Sequence, residues 1–337
     1  MKALVYTGTC QSEIREVDLP VPGDNQVIVD LAFCGICGSD MHAWHGHDER
    51  RVPPLVLGHE AVGVVRSGPL AGKRVAINPL MICGTCEFCQ SGAEHLCASR
   101  ELIGMRVPGA LAQQLVINVD NLSVIPDHLP FHEAALAEPL ACSVHAVRLA
   151  CDLANLDNRS KNKECMIVIL GGGAIGLLSA LVFEAYGYGN IWIAETNPLR
   201  RAMLEDAGNM RAYDPLAPAG AETGPALGHA DILLDAVGSG ATRASASQLV
   251  RPGGVMVHIG LQNNDEGLDT RRITLQEITF KGTYCYRNDD FSEALSLLAN
   301  GSISGKGWAE IRPLDAGAAA FVDIDQGKAP PKIILEI

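Results

Sequence analysis

Apolar and polar positions follow two different patterns along the chain. In the N-terminal part, short apolar runs (KALVY, QVIVDLAF, EAVGVV, KRVAIN, AQQLVI) are separated by turn-forming stretches such as PVPGDN and RSGPLAG. Short strands at even spacing between Gly/Pro turns predict a mostly β, barrel-like unit. From Glu164 onward, strand-length apolar runs alternate with helical ones: 165–170 reads as a strand, 174–186 as a helix and 190–195 as a second strand. Asn197 then offers an N-cap, and Pro198 takes the first helical position, where its missing N–H is not needed. Residues 231–235 and 255–259 read as further buried strands. Such alternation predicts an α/β domain with a doubly wound parallel sheet. Beyond Lys281 the pattern is mixed, with a helix at 290–299 and a closing strand at 332–337. Residues 145–153 read as a helix joining the two regions. The expected division is 1–147 plus 281–337 for the first domain and 148–280 for the second.

Composition narrows the function classes. The chain has 337 residues, which at roughly 150 per domain gives about two domains. A hydrophobic share of 47% supports substantial cores and excludes a disordered chain. With 26 Lys+Arg against 39 Asp+Glu, the net charge of −13 argues against a nucleic-acid partner, whose phosphates demand cations. The stretch 165–183 carries no charge and approaches the length of a membrane span, but its four glycines fit a strand–turn–helix and no membrane partner is expected. The start, MKALVYTG, lacks a secretory pattern, so a reducing cytoplasm is expected. There, the 11 cysteines point to metal rather than to disulfides.

Gly171-Gly172-Gly173-Ala174-Ile175-Gly176 fits G-x-G-x-x-G between a strand and a helix. Gly171 permits the tight turn, Gly173 lets the backbone approach a pyrophosphate, and Gly176 lets the helix pack closely. Free N–H groups and the helix dipole then face the phosphates. Glu195 ends the second strand, placed to bond a ribose 2′-hydroxyl and to repel a 2′-phosphate. It therefore predicts NAD over NADP, an expectation that Arg200 and Arg201 could weaken by reaching the phosphate.

Cys83-x2-Cys86-x2-Cys89-x7-Cys97 supplies four thiolates. They complete a tetrahedral zinc site with no open position, so this zinc is expected to be structural. Outside that cluster, Cys34 and Cys37, His59 and Glu138 offer a thiolate, an imidazole and a carboxylate. Glu138 stands in the apolar stretch AALAEPLACSVHA, where an unpaired carboxylate would be costly to bury. A three-ligand zinc with an open fourth position is the arrangement of catalysis. His45 and His47 in HAWHGHDERR read as a solvated loop beside Trp44.

The ordered set CGICGSD with His42, GHE, the four-cysteine run, EP and GGGAIG resembles the medium-chain zinc-dependent alcohol and polyol dehydrogenases, in the branch of sorbitol, galactitol-phosphate and threonine dehydrogenases. The resemblance implies a Rossmann domain beside a GroES-like catalytic domain, two zinc ions per chain, and a homodimer or homotetramer. It makes Cys37 and His59 catalytic zinc ligands, with Glu60 or Glu138, or an exchange between them, as the third. Cys34 becomes structural. Ser39 matches the hydroxyl that relays the substrate's proton, His42 a position that receives it, and Asp40 a carboxylate that orients His59. Ile175, Glu195, Arg200, Ile259-Gly260-Leu261 and Thr283-Tyr284-Cys285 fall at cofactor positions. Two departures stand out: Cys285 occupies the place of a substrate arginine in sorbitol dehydrogenases, with Arg287 two residues on, and the chain between Glu60 and Lys73 is short.

The expected activity is reversible NAD-dependent oxidation of a small secondary alcohol, a polyol or sugar alcohol, phosphorylated or not. A threonine-type dehydrogenase is the alternative within the family. A non-catalytic nucleotide- and zinc-binding protein would not need a polar relay beside an open metal site. A zinc-free quinone or enoyl reductase would need neither cysteine set.

Overall fold

In the strand Gln26–Gly35, Val27, Val29 and Leu31 alternate inward, and the register against Glu60–Val65 then shifts between Leu31 and Phe33. The bulge re-aims the end of the strand, so that Cys34 and Gly35 are buried and Gly35 lies directly opposite Glu60. The computed structural model describes residues 1–155, 164–218 and 224–337. It divides into two compact units: 1–141, 287–305 and 309–337 form the first, 142–286 and 306–308 the second.

The first unit is built mainly on two sheets, beside a small two-stranded pairing of Leu80–Met81 with Glu101–Leu102. One runs in the order Leu122–Val124, Arg74–Ile77, Glu60–Val65, Gln26–Gly35, Lys332–Glu336, Ala309–Pro313, with Gln114–Asn118 also pairing with Gln26–Gly35. The C-terminal strand is thus inserted beside the strand that leads to Cys37. The other sheet orders Gln11–Glu16, Lys2–Gly8 and Leu55–Val56. Val29, Val75, Ile117, Leu111 and Leu335 are among the residues closing the common core. The strand Gln11–Glu16 carries no apolar run, because it is a sheet edge with mostly exposed side chains.

The second unit is a six-stranded parallel sheet in the order Arg211–Tyr213, Asn190–Ala194, Met166–Leu170, Ala230–Asp235, Val250–His258, Thr279–Gly282. Numbered by chain order this is 3-2-1-4-5-6, the order in which dinucleotide-binding folds place their ligand beyond the first strand. Asn197 caps the helix Pro198–Ala207, accepting from the N–H groups of Leu199 and Arg200, with Pro198 at its start as expected. The strand expected at 255–259 starts earlier, at Val250, and the joining helix expected at 145–153 spans Ala137–Ala154. Among the described residues, no helix is long and apolar enough to cross a membrane.

Candidate active site

The glycine turn leaves the strand Met166–Leu170 at Gly171, whose φ of 97° suits glycine, and the helix Ala174–Ala185 follows. A Cβ on Gly176 would lie 1.8 Å from the Gly171 carbonyl oxygen, so that residue must be glycine for helix and strand to meet. A Cβ on Gly173 would meet nothing within 4 Å, and no side chain caps the helix. Open space over uncapped N–H groups is a cradle for phosphate oxygens. Glu195 is buried and accepts from the N–H groups of Gly172 and Asn197, both at 2.8 Å, tying the turn to the end of the second strand.

On the far side of the switch point, buried Asp235 accepts from the N–H groups of Val237 and Gly238 and from the Thr242 hydroxyl. The N–H groups of Ile259 and Gly260 both reach the Asp235 carbonyl, which brings that loop against Val237 and Gly238 and leaves Leu261 exposed. Thr283 continues from the edge strand by donating its N–H to the His258 carbonyl. Cys285 takes a φ of 46°, unusual for a side-chain-bearing residue, and Arg287 is exposed.

The four-cysteine run folds around one point. Cys83 to Cys89 is 3.9 Å between sulfurs, Cys86 to Cys89 is 3.5 Å, and Cys97 to Cys83 is 3.6 Å. Tetrahedral zinc with bonds of 2.3 Å requires sulfurs about 3.8 Å apart, so the set fits that ion. The N–H groups of Thr85 and Cys86 pull the Cys83 thiol down to about 6, while burial and the neighbouring thiols push Cys89 up to about 12, so a metal cation must displace the proton that these sulfurs share.

The second metal-competent set is assembled by the bulged strand and the short helix Gly38–Trp44. Cys37 is the helix N-cap: its sulfur accepts from the Ser39 N–H, and Asp40 Oδ2 accepts from the Cys37 N–H. Asp40 is fully buried, and its Oδ1 lies 3.6 Å from His59 Nδ1. Burial opposes the Asp40 charge, but His59, Arg51 and the Cys37 N–H hold its pKa at about 2. Burial likewise works against a charged His59, yet Asp40 and Cys37 outweigh it and raise the imidazole well above its ordinary value. Anions that hold a proton there so firmly would also hold a metal cation.

Cys37, His59 and Glu60 bring one ligand atom each to within 4.8 Å of one another. Glu138 is not part of that set. It is buried in the first turn of Ala137–Ala154, near enough to Lys332 to act on its charge. Cys34 is a buried core thiol, its pKa raised well above the usual value by burial and then by Asp40 and Glu60. His42 is half-buried, and burial, His47 and His45 lower its basicity, which keeps it neutral and able to accept a proton. His45 bonds Asp325 at 2.7 Å and His47 is exposed.

Two residues here escape sequence reasoning. Lys332, the first residue of an apolar strand, donates to both Glu60 oxygens and to the Ile36 carbonyl. Arg51, in a run of charges that reads as loop surface, is buried against Ser39. For Lys332 a signal existed, a lone cation opening KIILE; for Arg51 there was none.

Residues 23–127 match the family model of the alcohol dehydrogenase GroES-like domain, and residues 174–300 that of the zinc-binding dehydrogenases. The chain is 30% identical to L-galactonate-5-dehydrogenase of Escherichia coli, over 86% of this chain and 85% of that one. It is 29% identical to 2-dehydro-3-deoxy-L-galactonate 5-dehydrogenase of Pseudoalteromonas atlantica, over 100% of this chain and 98% of the relative. Among solved structures it is similar to L-idonate 5-dehydrogenase of Escherichia coli, with 26% identity, a TM-score of 0.86, and 100% and 98% of the two chains covered. With two metal-competent ligand sets, a glycine turn at the switch point of a parallel sheet, and these relatives along its whole length, the chain belongs to the medium-chain zinc-dependent alcohol and polyol dehydrogenases.

Proposed function

We propose that the protein oxidises a secondary hydroxyl of a polyol or sugar acid with NAD, reversibly, using Cys37, His59 and Glu60 as ligands of a catalytic zinc. The convergence of those three ligand atoms within 4.8 Å carries the reading. Glu138, buried nearby in a helix first turn, is the carboxylate available for exchange with Glu60. The relatives named for galactonate and idonate support a hydroxylated carbon chain as substrate.

Zinc held by three protein ligands supplies a Lewis acid at the substrate hydroxyl, and NAD supplies the hydride acceptor. Ser39 accepts the proton of that hydroxyl and passes its own outward, toward neutral His42 or water. Asp40, 3.6 Å from His59 Nδ1, orients the ring through its charge. The Gly171–Gly176 turn and Glu195 seat the pyrophosphate and adenosine ribose of NAD, and Ile259–Leu261 and Thr283–Cys285 line its nicotinamide end. Cys83, Cys86, Cys89 and Cys97 hold a second, structural zinc. A reducing compartment, the cytoplasm, suits a chain that gathers five of its 11 cysteines into two metal-competent sets. The exposed edge strand Thr279–Gly282 would let two copies join their sheets as a homo-oligomer.

The test is a panel of polyols, their phosphates and sugar acids with NAD, run on the natural enzyme and on Cys37→Ser. The variant should lose one of two zinc ions and at least ~10³-fold in turnover, the scale of a lost metal-assisted step, while still binding NADH. Turnover retained in Cys37→Ser overturns the reading.

A further inference from the structure

Arg51 has no part in the mechanism above, and its placement demands one. It lies between exposed Arg50 and Val52, which is 69% exposed, yet is itself 3% exposed. Its guanidinium is turned wholly inward. Nε donates to the Gly104 carbonyl at 2.9 Å; Nη1 donates to the Ser39 carbonyl and to Asp48 Oδ2, both at 2.9 Å; Nη2 donates to the Ser39 hydroxyl at 3.3 Å. Gly104 in turn packs on the backbone that presents His59, since a Cβ there would lie 2.8 Å from the Gly58 oxygen. One planar fork therefore ties the Ser39 hydroxyl to the segment that carries a metal ligand.

The chemistry of the two groups fixes the direction of the hydrogen bond. A guanidinium has donors only, whereas a serine hydroxyl has one proton and two lone pairs. With one lone pair taken by Nη2, the hydroxyl cannot point its proton at Arg51. One lone pair and one proton remain, and they face elsewhere. We propose that Arg51 is a positioning residue that sets the polarity of the Ser39 hydroxyl, so that it accepts from the substrate alcohol and donates outward.

The inference rests on the proposed relay role of Ser39. In that step the substrate O–H bond breaks as its proton bonds to Ser39 Oγ. The original Ser39 proton leaves for His42 or water, and the C–H electron pair passes as hydride to NAD, which is reduced as the carbinol carbon is oxidised. Without Arg51 the hydroxyl is free to turn and donate toward the substrate oxygen, an orientation in which it accepts no proton.

A double-mutant cycle between Arg51 and Ser39 in the full-length, zinc-loaded enzyme tests this. Arg51→Lys keeps the charge and offers no acceptor, but loses the fork. It should lower kcat about 10- to 100-fold with KM within about threefold, the scale of a misplaced acid–base group. Arg51→Gln, whose amide oxygen invites the hydroxyl to turn toward it, should fall below Arg51→Lys. In a Ser39→Ala background, either change should cost less than about threefold more, because the groups act as one unit. Melting curves and zinc content, expected to stay at two per chain in Arg51→Lys, separate the effect from unfolding. If Arg51→Lys does not fold, Arg51→Gln alone carries the cycle.

Equal losses in both backgrounds, a rise in KM at constant kcat, or Gln matching Lys would each overturn the role of Arg51 and leave the dehydrogenase reading intact. No NAD-linked alcohol oxidation by the unsubstituted enzyme would overturn both.

Discussion

Lys332 donates from Nζ to both carboxylate oxygens of Glu60 at 2.8 Å, and the two side chains are 3% and 1% exposed. Gly35, opposite Glu60 in the sheet, makes room for the pair: a Cβ there would sit 1.9 Å from Glu60 Oε2. Burial works against the lysine's charge, but Glu60 first, then Cys37 and Glu138, raise its pKa above the ordinary value. Lys332 is thus the fixed counter-charge behind a site rich in anions. It leaves the carboxylate with lone pairs to share, because an ionised carboxylate offers about four acceptor directions.

Removing one partner of a buried pair leaves the other charge uncompensated, which costs about 3–5 kcal/mol. Lys332→Met should therefore destabilise the first unit by that amount in zinc-stripped protein, and by less when a metal cation shares the charge of Glu60. Lys332→Met combined with Glu60→Gln should recover most of the loss. Urea titrations with and without zinc check it, and equal losses in the two conditions would separate Glu60 from the metal.

Glu195 does two things at once. Its carboxylate accepts two backbone N–H groups and so holds the glycine turn, and in the proposed mode of NAD binding its charge would repel a 2′-phosphate. A carboxylate about 4 Å from that phosphate costs roughly 1–4 kcal/mol. Glu195→Gln should accordingly erase roughly fivefold to several-hundred-fold of preference for NAD, read from the ratio of kcat/KM with the two cofactors. Comparable efficiency with NADP in the unsubstituted enzyme would remove Glu195 as a selector.

The four-cysteine set gives an independent check. The sulfur separations of 3.5–3.9 Å already match a tetrahedral ion. Buried Cys97 anchors the set, so Cys97→Ser should lower zinc from two ions to one per chain and lower Tm, because metal binding is folding free energy for such a lobe. With the catalytic set untouched, kcat of the folded fraction should stay within about threefold, as expected for a change away from the reacting atoms. Zinc analysis and polyol turnover at low temperature read both outcomes.

Local pattern carried much of this architecture. The glycine turn, the Asn197–Pro198 helix start and the cysteine run are written in adjacent residues, where one spacing maps to one geometry. The partners of the catalytic set are not. Lys332 and Glu60 stand 272 positions apart, brought together by insertion of the last strand beside Gln26–Gly35. Arg51 looks like a surface charge because only its neighbours Arg50 and Val52 face solvent. Residue pattern offers Glu138 as the carboxylate, and the family resemblance leaves Glu60, Glu138 or an exchange between them open as third ligand. The bulge after Leu31 sets the register that places Glu60 beside Cys37 and His59, a long-range pairing that no local spacing encodes. The edge strand Gln11–Glu16 was silent because an exposed edge has no apolar period to read.

Alkaline pH should weaken the second unit through its buried neutral groups. Burial, and then Asp231, pushes the Cys165 thiol up to about 12 from an ordinary 9.0, and burial pushes the Tyr213 hydroxyl up to about 12 from 10.0. Tyr188 is raised in the same way, by burial and by its hydrogen bond to Cys151. In each case the unfolded chain releases its proton at a lower pH than the native state does. Between about pH 9 and 12 the native state therefore binds more protons, and stability falls as pH rises. The contribution is complete below pH 9, where thiol and phenol are protonated in both states. Cys165→Val removes the earliest of these ionisations, so the decline in Tm between pH 8 and pH 10.5 should be shallower in the variant, whatever its Tm at pH 8. Parallel Tm curves over that range would mean that Cys165 ionises alike in the folded and unfolded chain.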